Sequence, residues 1–256
     1  MTPTSEMSPS NKAKKRVISL GWLIPNLMTV TALSFGLTGL RFAFAEKWVE
    51  MLAMLVLAIL FDILDGRLAR LFKSTSQFGA QLDSLSDAVV FGVVPAIGLY
   101  LWGLQPASKI AWAATLFFCI CGALRLARFN SELQDDGEHS RLFFTGVPMP
   151  ASAFLAMMPL VAYLEFSHEF FRDWKVISAW MVLVGIGTIS TMPTYSGKGL
   201  RLPRHAAIPL LSSFALITAA IFVKPWFVWT ILGLVYVAHI PVVFIISKRK
   251  TRRDKN

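Results

Sequence analysis

Five stretches of this chain contain no Asp, Glu, Lys or Arg: Val17 to Leu40, Ala88 to Ser108, Leu142 to Leu164, Val176 to Gly197 and Pro225 to Ser247. Each has about the length, near 20 residues, that carries an α-helix across the hydrocarbon of a bilayer. Three further apolar candidates lie between them, Trp48 to Leu71, Ile110 to Leu126 and Ala206 to Val223. A lipid-facing backbone must satisfy its own hydrogen bonds, and these runs show no period-two alternation, so helices are expected rather than a barrel. The fold class predicted is all-α: a polytopic membrane helix bundle of about eight transmembrane helices. Only 16% of residues are charged, against roughly 25% in a soluble domain.

A net charge of +10 raises the question of nucleic acid, and the placement of the charge argues against it. Lys12, Lys14, Lys15 and Arg16 precede the first run, and Lys248, Arg249, Lys250, Arg252, Arg253 and Lys255 follow the last. Alternate connections are basic: Arg67, Arg70 and Lys73; Arg125, Arg128 and Arg141; Lys198, Arg201 and Arg204. The remaining connections carry Lys47, Lys109, Arg172, Lys175 and Lys224. That puts 19 basic residues on one side and 5 on the other, with Arg41 near the outer end of the first run. This is the positive-inside pattern, and it predicts both termini in the cytoplasm. A nucleic-acid binder would instead need one contiguous basic surface. The expected organisation is a basic tail at 1–16, disordered or on the membrane surface, one membrane domain at 17–247, and a basic cytoplasmic tail at 248–256. Cys119 and Cys121 lie in an apolar run and read as packing residues. His239 reads as a packed, hydrogen-bonded histidine.

Four aspartates interrupt this apolar chain at one place, in FDILDGRLARLFKSTSQFGAQLDSLSDAVVFG, Phe61 to Gly92. Asp62 and Asp65 are three residues apart, and Asp83 and Asp87 four, so each pair shares a helix face. The first pair ends the second span and the second pair begins the third. Carboxylates gathered near lipid repel one another and need a cation. Hard oxygen ligands on rigid helices suit Mg²⁺ or Mn²⁺, two ions being the natural complement. Gly66, Ala69 and Gly79 allow close approach of backbone or ligand, and Arg70 offers a fork for phosphate oxygens. Together these residues describe a site for a diphosphate. The plainer alternative is that the aspartates pair with Arg67, Arg70 and Lys73.

The spacing Asp62-x2-Asp65-Gly66-x2-Ala69-Arg70-x8-Gly79-x3-Asp83-x3-Asp87 resembles the signature of the CDP-alcohol phosphotransferase family at every fixed position. The resemblance implies an integral membrane enzyme with a six-helix core, acting as a homodimer. It implies transfer of a phosphatidyl or similar group from a CDP-linked donor to an alcohol, with release of CMP. Asp62, Asp65, Asp83 and Asp87 would hold the metals, and Asp87 would also be the catalytic base. Gly66, Ala69, Arg70, Gly79 and Asp83 would line the CDP and diphosphate site. Pro25, Asn26 and Thr29 of IPNLMT would join them, since a similar stretch occurs in bacterial relatives; otherwise they are a helix-start proline and cap.

Three more stretches, RLARFN, FTGVPMP and MPTYSGKG, resemble the phosphatidylserine synthase branch. That implies CDP-diacylglycerol and L-serine as substrates, an in-line displacement, membrane lipids as surroundings, and a bacterial inner (cytoplasmic) membrane with the site facing the cytoplasm. Arg125, Arg128, Asn130, Tyr195 and Lys198 are the candidate serine contacts; Arg125 and Arg128 also read as positive-inside anchors. The irregular FFTGVPMPAS is expected to border the cavity. Glycerol 3-phosphate, inositol phosphate and choline are the alternative acceptors. A transporter with a carboxylate ion site is the alternative class, but it predicts ionisable residues and broken helices at the bilayer midplane.

Overall fold

The uncharged run at the N-terminal end forms a helix, α1 (Leu20–Phe44), and it packs along its length against α2 (Trp48–Leu71). The two are joined by a tight turn in which Glu46 takes a left-handed φ of 57° and the Lys47 N–H returns to the Phe42 carbonyl at 2.9 Å. Gly39 allows the close approach: a Cβ there would lie 3.3 Å from the Met54 Cβ. The computed structural model describes residues 20–72, 76–105, 109–135, 143–190, 193–195 and 207–253.

Within those residues the chain continues as helices and one short ribbon. Ser76 caps α3 (Gln77–Asp87), its hydroxyl accepting from the Gly79 N–H at 3.0 Å. The rod then runs on without a break through a π-helical stretch (Ala88–Val93), α4 (Val94–Leu99) and a second π-helical stretch (Tyr100–Leu104). Pro95, which has no N–H to give to the ladder, sits in the first turn of α4, directly after the first widened stretch. This rod is the centre of the bundle, with Val90, Phe91, Val94, Ala96 and Leu99 all buried. Next come α5 (Lys109–Asp135), α6 (Met149–Ala156), α7 (Met158–Phe166), α8 (Trp174–Ile189), α9 (Ala207–Val223) and α10 (Pro225–Arg253). A short 3₁₀ turn, Glu169–Arg172, precedes α8. Strands β1 (Phe143–Thr145) and β2 (Pro193–Tyr195) pair antiparallel, Phe143 opposite Tyr195.

With α6 and α7 taken as one interrupted rod, the described residues contain eight helical rods, and the class is an all-α membrane bundle. Gly21–Phe44, Gln77–Leu104, Lys109–Ser131 and Met149–Phe166 are long and apolar enough to cross a membrane; Trp174–Ile189, Ile208–Val223 and Pro225–His239 are shorter apolar stretches. The remaining rod, α2, carries Glu50, Asp62, Asp65, Arg67 and Arg70 in its sequence.

The structure differs from the sequence expectation in four places. The third rod begins at Gln77, well before the uncharged run at Ala88, so its helix holds Asp83 and Asp87 as their spacing requires but starts a further turn and a half earlier. The sixth ends at Ile189 rather than Gly197, because Ser190 turns extended and Pro193 follows. The fifth breaks at Met157, where Pro159 enters the next first turn. His239 is exposed rather than packed. The 1–16 tail lies outside the described residues, and α10 continues through 248–253.

Candidate active site

The helical spacing of the aspartates places them as the sequence requires. Asp62, Asp83 and Asp87 each offer a carboxylate oxygen, and the three oxygens lie within 4.8 Å of one another. Asp65 stands beside them on the same face of α2. It is 5% exposed, and its Oδ2 accepts from the Thr29 hydroxyl at 2.7 Å. Thr29 also reaches the Pro25 carbonyl at 3.2 Å, so α1 fixes the orientation of an α2 carboxylate.

Of the basic residues in the alternative of interfacial ion pairs, Lys73 lies outside the described residues. Among the described residues none of the four aspartates pairs with Arg67 or Arg70. Arg70 instead donates its Nε to the Gly66 carbonyl at 2.9 Å. Three converging oxygens on two rigid helices fit a hard divalent cation, with Asp65 completing the acidic set.

A cavity of about 270 Å³ opens beside the cluster between α1, α2 and the start of α3. Asp65 and Asp83 form its acidic wall. Pro25, Asn26 and Thr29 line it from α1, Gly66, Ala69 and Arg70 from α2, and Gly79 from α3. The two glycines play different parts. A Cβ on Gly66 would meet nothing within 4 Å, so it would project into open space; one on Gly79 would lie 3.1 Å from Asn26 Oδ1 and 3.2 Å from Ser76 Oγ. Gly79 therefore lets α3 approach α1.

Trp22, Ser76 and Ala80 also line the cavity and were not singled out by sequence. Trp22 Nε1 donates to Ser76 Oγ at 3.0 Å, tying α1 to the cap of α3. The available signal was Ser76 three residues before Gly79, a cap pattern. Nothing local in the sequence pairs it with Trp22.

The acceptor candidates divide. Arg125 is 9% exposed, and its Nε has no hydrogen-bond partner among the described residues. Its guanidinium lies within electrostatic range of Asp87. Asn130 Oδ1 accepts from Ser84 Oγ at 3.0 Å, which brings it against α3 one residue beyond Asp83. Arg128 points elsewhere: Nη1 and Nη2 donate to the Ile189 and Ser190 carbonyls at 3.1 and 3.3 Å. It caps the end of α8, where carbonyls lack helical partners and the dipole favours a cation. Tyr195 ends β2, and Lys198 lies outside the described residues. The irregular stretch expected to border the cavity contributes no residue to its lining; it contains Gly146, with φ of 77°. A Cβ there would lie 2.6 Å from the Thr188 carbonyl oxygen. The cysteines are free; Cys119 Sγ reaches the Gly92 carbonyl at 3.6 Å.

The comparisons with known proteins bear on this geometry. The family profile of CDP-alcohol phosphatidyltransferases matches residues 22–190. A Mycobacterium leprae protein named CDP-diacylglycerol–serine O-phosphatidyltransferase is 33% identical over 234 residues, covering 91% of this chain and 77% of its own. A Helicobacter pylori protein of the same name is 34% identical over 173 residues, covering 67% and 71%. One from Methanocaldococcus jannaschii is 39% identical over 148 residues, covering 57% and 65%. The matched region takes in α1 through α8, hence the acidic cluster and the whole lining of the cavity, and the apolar helices around it are those of a membrane protein. The chain belongs to the CDP-alcohol phosphatidyltransferase family.

Proposed function

We propose that this chain transfers the phosphatidyl group of CDP-diacylglycerol to the hydroxyl of L-serine, giving phosphatidylserine and CMP. The observation that carries the reading is the convergence of Asp62, Asp83 and Asp87 beside a cavity lined by small residues and Arg70. The names of the relatives support serine as the acceptor.

Asp62, Asp65, Asp83 and Asp87 hold Mg²⁺ or Mn²⁺, two ions fitting four carboxylates. The bound ions would draw charge from the diphosphate oxygens and the departing phosphate. Thr29 keeps Asp65 turned toward that task. Gly66 leaves room for the diphosphate, and Ala69 keeps the wall of α2 low. Arg70 is the side chain with donors for phosphate oxygens. Pro25, Asn26 and Gly79 frame the nucleotide end of the cavity.

Asp87 accepts the proton of the serine hydroxyl, which is a weak nucleophile until then. The serine oxygen forms a bond to the phosphorus that bears the diacylglycerol. The bond from that phosphorus to the CMP oxygen breaks on the opposite side, an in-line displacement. Arg125 receives the serine carboxylate, and Asn130, Tyr195 and Lys198 are the remaining candidates around the acceptor. The chain works as a homodimer in a bacterial inner membrane, with the site open to the cytoplasm and the acyl chains leaving sideways into lipid.

Incubation of the purified protein with CDP-diacylglycerol, labelled serine and Mg²⁺ or Mn²⁺ tests this. Labelled phosphatidylserine, lost on chelation, is expected; folded protein that labels no lipid overturns the reading. Asp87→Asn should nearly abolish turnover while partly sparing donor binding. Donor binding lost as completely as turnover would leave Asp87 a metal ligand only.

A further inference from the structure

The side-chain amide of Asn26 is held in one orientation. Its Nδ2 donates to the Trp22 carbonyl, one turn back along α1, at 2.8 Å. That engages the NH₂ side and leaves Oδ1, which can only accept, for the cavity that Asn26 lines. Oδ1 lies toward α3, where a Cβ on Gly79 would come 3.1 Å from it. Yet the donors on that side are already engaged. The Gly79 N–H gives to Ser76 Oγ at 3.0 Å, and the Ala80 N–H gives to the Ser76 carbonyl at 3.0 Å. The Trp22 indole N–H also gives to Ser76 Oγ, at 3.0 Å. Among the described residues no N–H or O–H reaches Asn26 Oδ1. A half-buried acceptor in this position calls for a donor from the ligand.

The place of this oxygen along the cavity decides which part of a nucleotide meets it. Asp65 and Asp83 mark the acidic end, and Thr29 holds Asp65 there. Asn26 and Trp22 lie three and seven residues before Thr29 on α1, about 5 and 10 Å along its axis. With the diphosphate at the carboxylates, the base falls toward Asn26 and Trp22. Trp22 is the aromatic side chain of the lining, and its ring is set by the Ser76 bond and by Phe78, with centroids 5.8 Å apart. Such a ring offers a base a flat wall. Cytosine carries an amino donor where uracil, like thymine, carries a carbonyl oxygen. An oxygen that only accepts therefore pairs with cytosine at this edge and repels uracil.

We propose that Asn26 selects the base of the donor: its Oδ1 accepts from the amino group of cytosine and refuses uracil. This rests on the reading of the donor as CDP-linked. A ribose hydroxyl is the other donor that a nucleotide could bring to Oδ1. CMP and UMP share that ribose, so comparing them separates the two contacts.

The test is calorimetric binding of CMP, of UMP and of a CMP analogue with hydrogen in place of the amino group, to the purified protein in detergent with Mg²⁺. Wild type is compared with Asn26→Ala and Asn26→Asp. Wild type should bind CMP about tenfold more tightly than either other nucleotide, the worth of one hydrogen bond and of an acceptor otherwise left unpaired. Asn26→Ala should lose that preference. Asn26→Asp keeps an acceptor and should keep the preference, while its added negative charge weakens all three ligands. The wild-type arm needs no variant: equal binding of the three there overturns the proposal. So does a preference that survives Asn26→Ala, or one that is lost in Asn26→Asp. A wild type that binds none of the three takes the nucleotide reading of the cavity down as well. A wild type that binds CMP and UMP alike leaves that reading standing and removes this inference alone.

Discussion

Gly66→Ala separates the cavity's use from its stability, because the two should move in opposite directions. Gly66 sits inside α2, where a glycine is about 1 kcal/mol less favourable than alanine. The added Cβ meets no atom within 4 Å, so no packing penalty offsets that gain. The variant should therefore melt at or slightly above the wild-type midpoint in detergent. The same methyl projects into the cavity proposed for the diphosphate, where intrusion on a fitted ligand costs about 1–3 kcal/mol. That corresponds to roughly a five- to hundredfold higher KM for CDP-diacylglycerol. Gly36→Ala is the control. It is also within a helix, but its Cβ would lie 2.7 Å from Val90 Cγ2 in the bundle centre, so it should lower the midpoint. Thermal melts of both variants, with CMP release measured against donor concentration, read out the contrast. A Gly66→Ala protein that keeps the wild-type donor KM would refute the placement of the diphosphate against α2.

Three further outcomes are expected. Thr29→Val removes the 2.7 Å hydrogen bond to Asp65; losing a group that orients a metal-binding carboxylate should raise the Mg²⁺ concentration for half-maximal activity about ten- to hundredfold, and an unchanged metal titration would contradict this. Arg128→Ala strips two donors from the end of α8 and should cost about 1–3 kcal/mol of stability, seen as a lower midpoint; a raised serine KM with an unchanged midpoint would return Arg128 to the acceptor site. Gly146→Ala puts a Cβ 2.6 Å from the Thr188 carbonyl at a left-handed φ, so the yield of folded protein after extraction should fall sharply. A variant recovered with a normal midpoint would mean that the junction relaxes.

The aspartate site was legible in the sequence because its geometry is local. Spacings of three and four put each pair on a helix face whatever the rest of the chain does, and only the meeting of α2 with α3 had to be supplied by folding. The cavity lining followed for the same reason: Gly66, Ala69 and Arg70 are neighbours of Asp65, and Gly79 precedes Asp83 by one turn. What stayed hidden depends on distant parts. Arg128 reads as an acceptor contact until one knows where α8 stops, and its carbonyl partners are 61 and 62 positions away. The stop itself is obscured, since Val176 to Gly197 is uniformly uncharged and only Pro193 marks the exit. Thr29 lines the cavity, but its hydrogen bond to Asp65, 36 positions on, could not be read from the sequence. The π-helical stretches flanking α4 have no compositional mark: AVVFGV and YLWGL read like any apolar helix. His239 misled for a related reason: hydropathy gives depth in a membrane, but not which side of a helix faces lipid.

The most direct measurement is CMP release by the purified protein in detergent from CDP-diacylglycerol and Mg²⁺ or Mn²⁺. Serine, glycerol 3-phosphate, inositol, inositol phosphate and choline are offered separately, with and without a chelator. The account predicts release with serine alone, abolished by the chelator. Release with another alcohol in place of serine would contradict the assignment of the acceptor, and release that survives chelation would contradict the role given to the four aspartates.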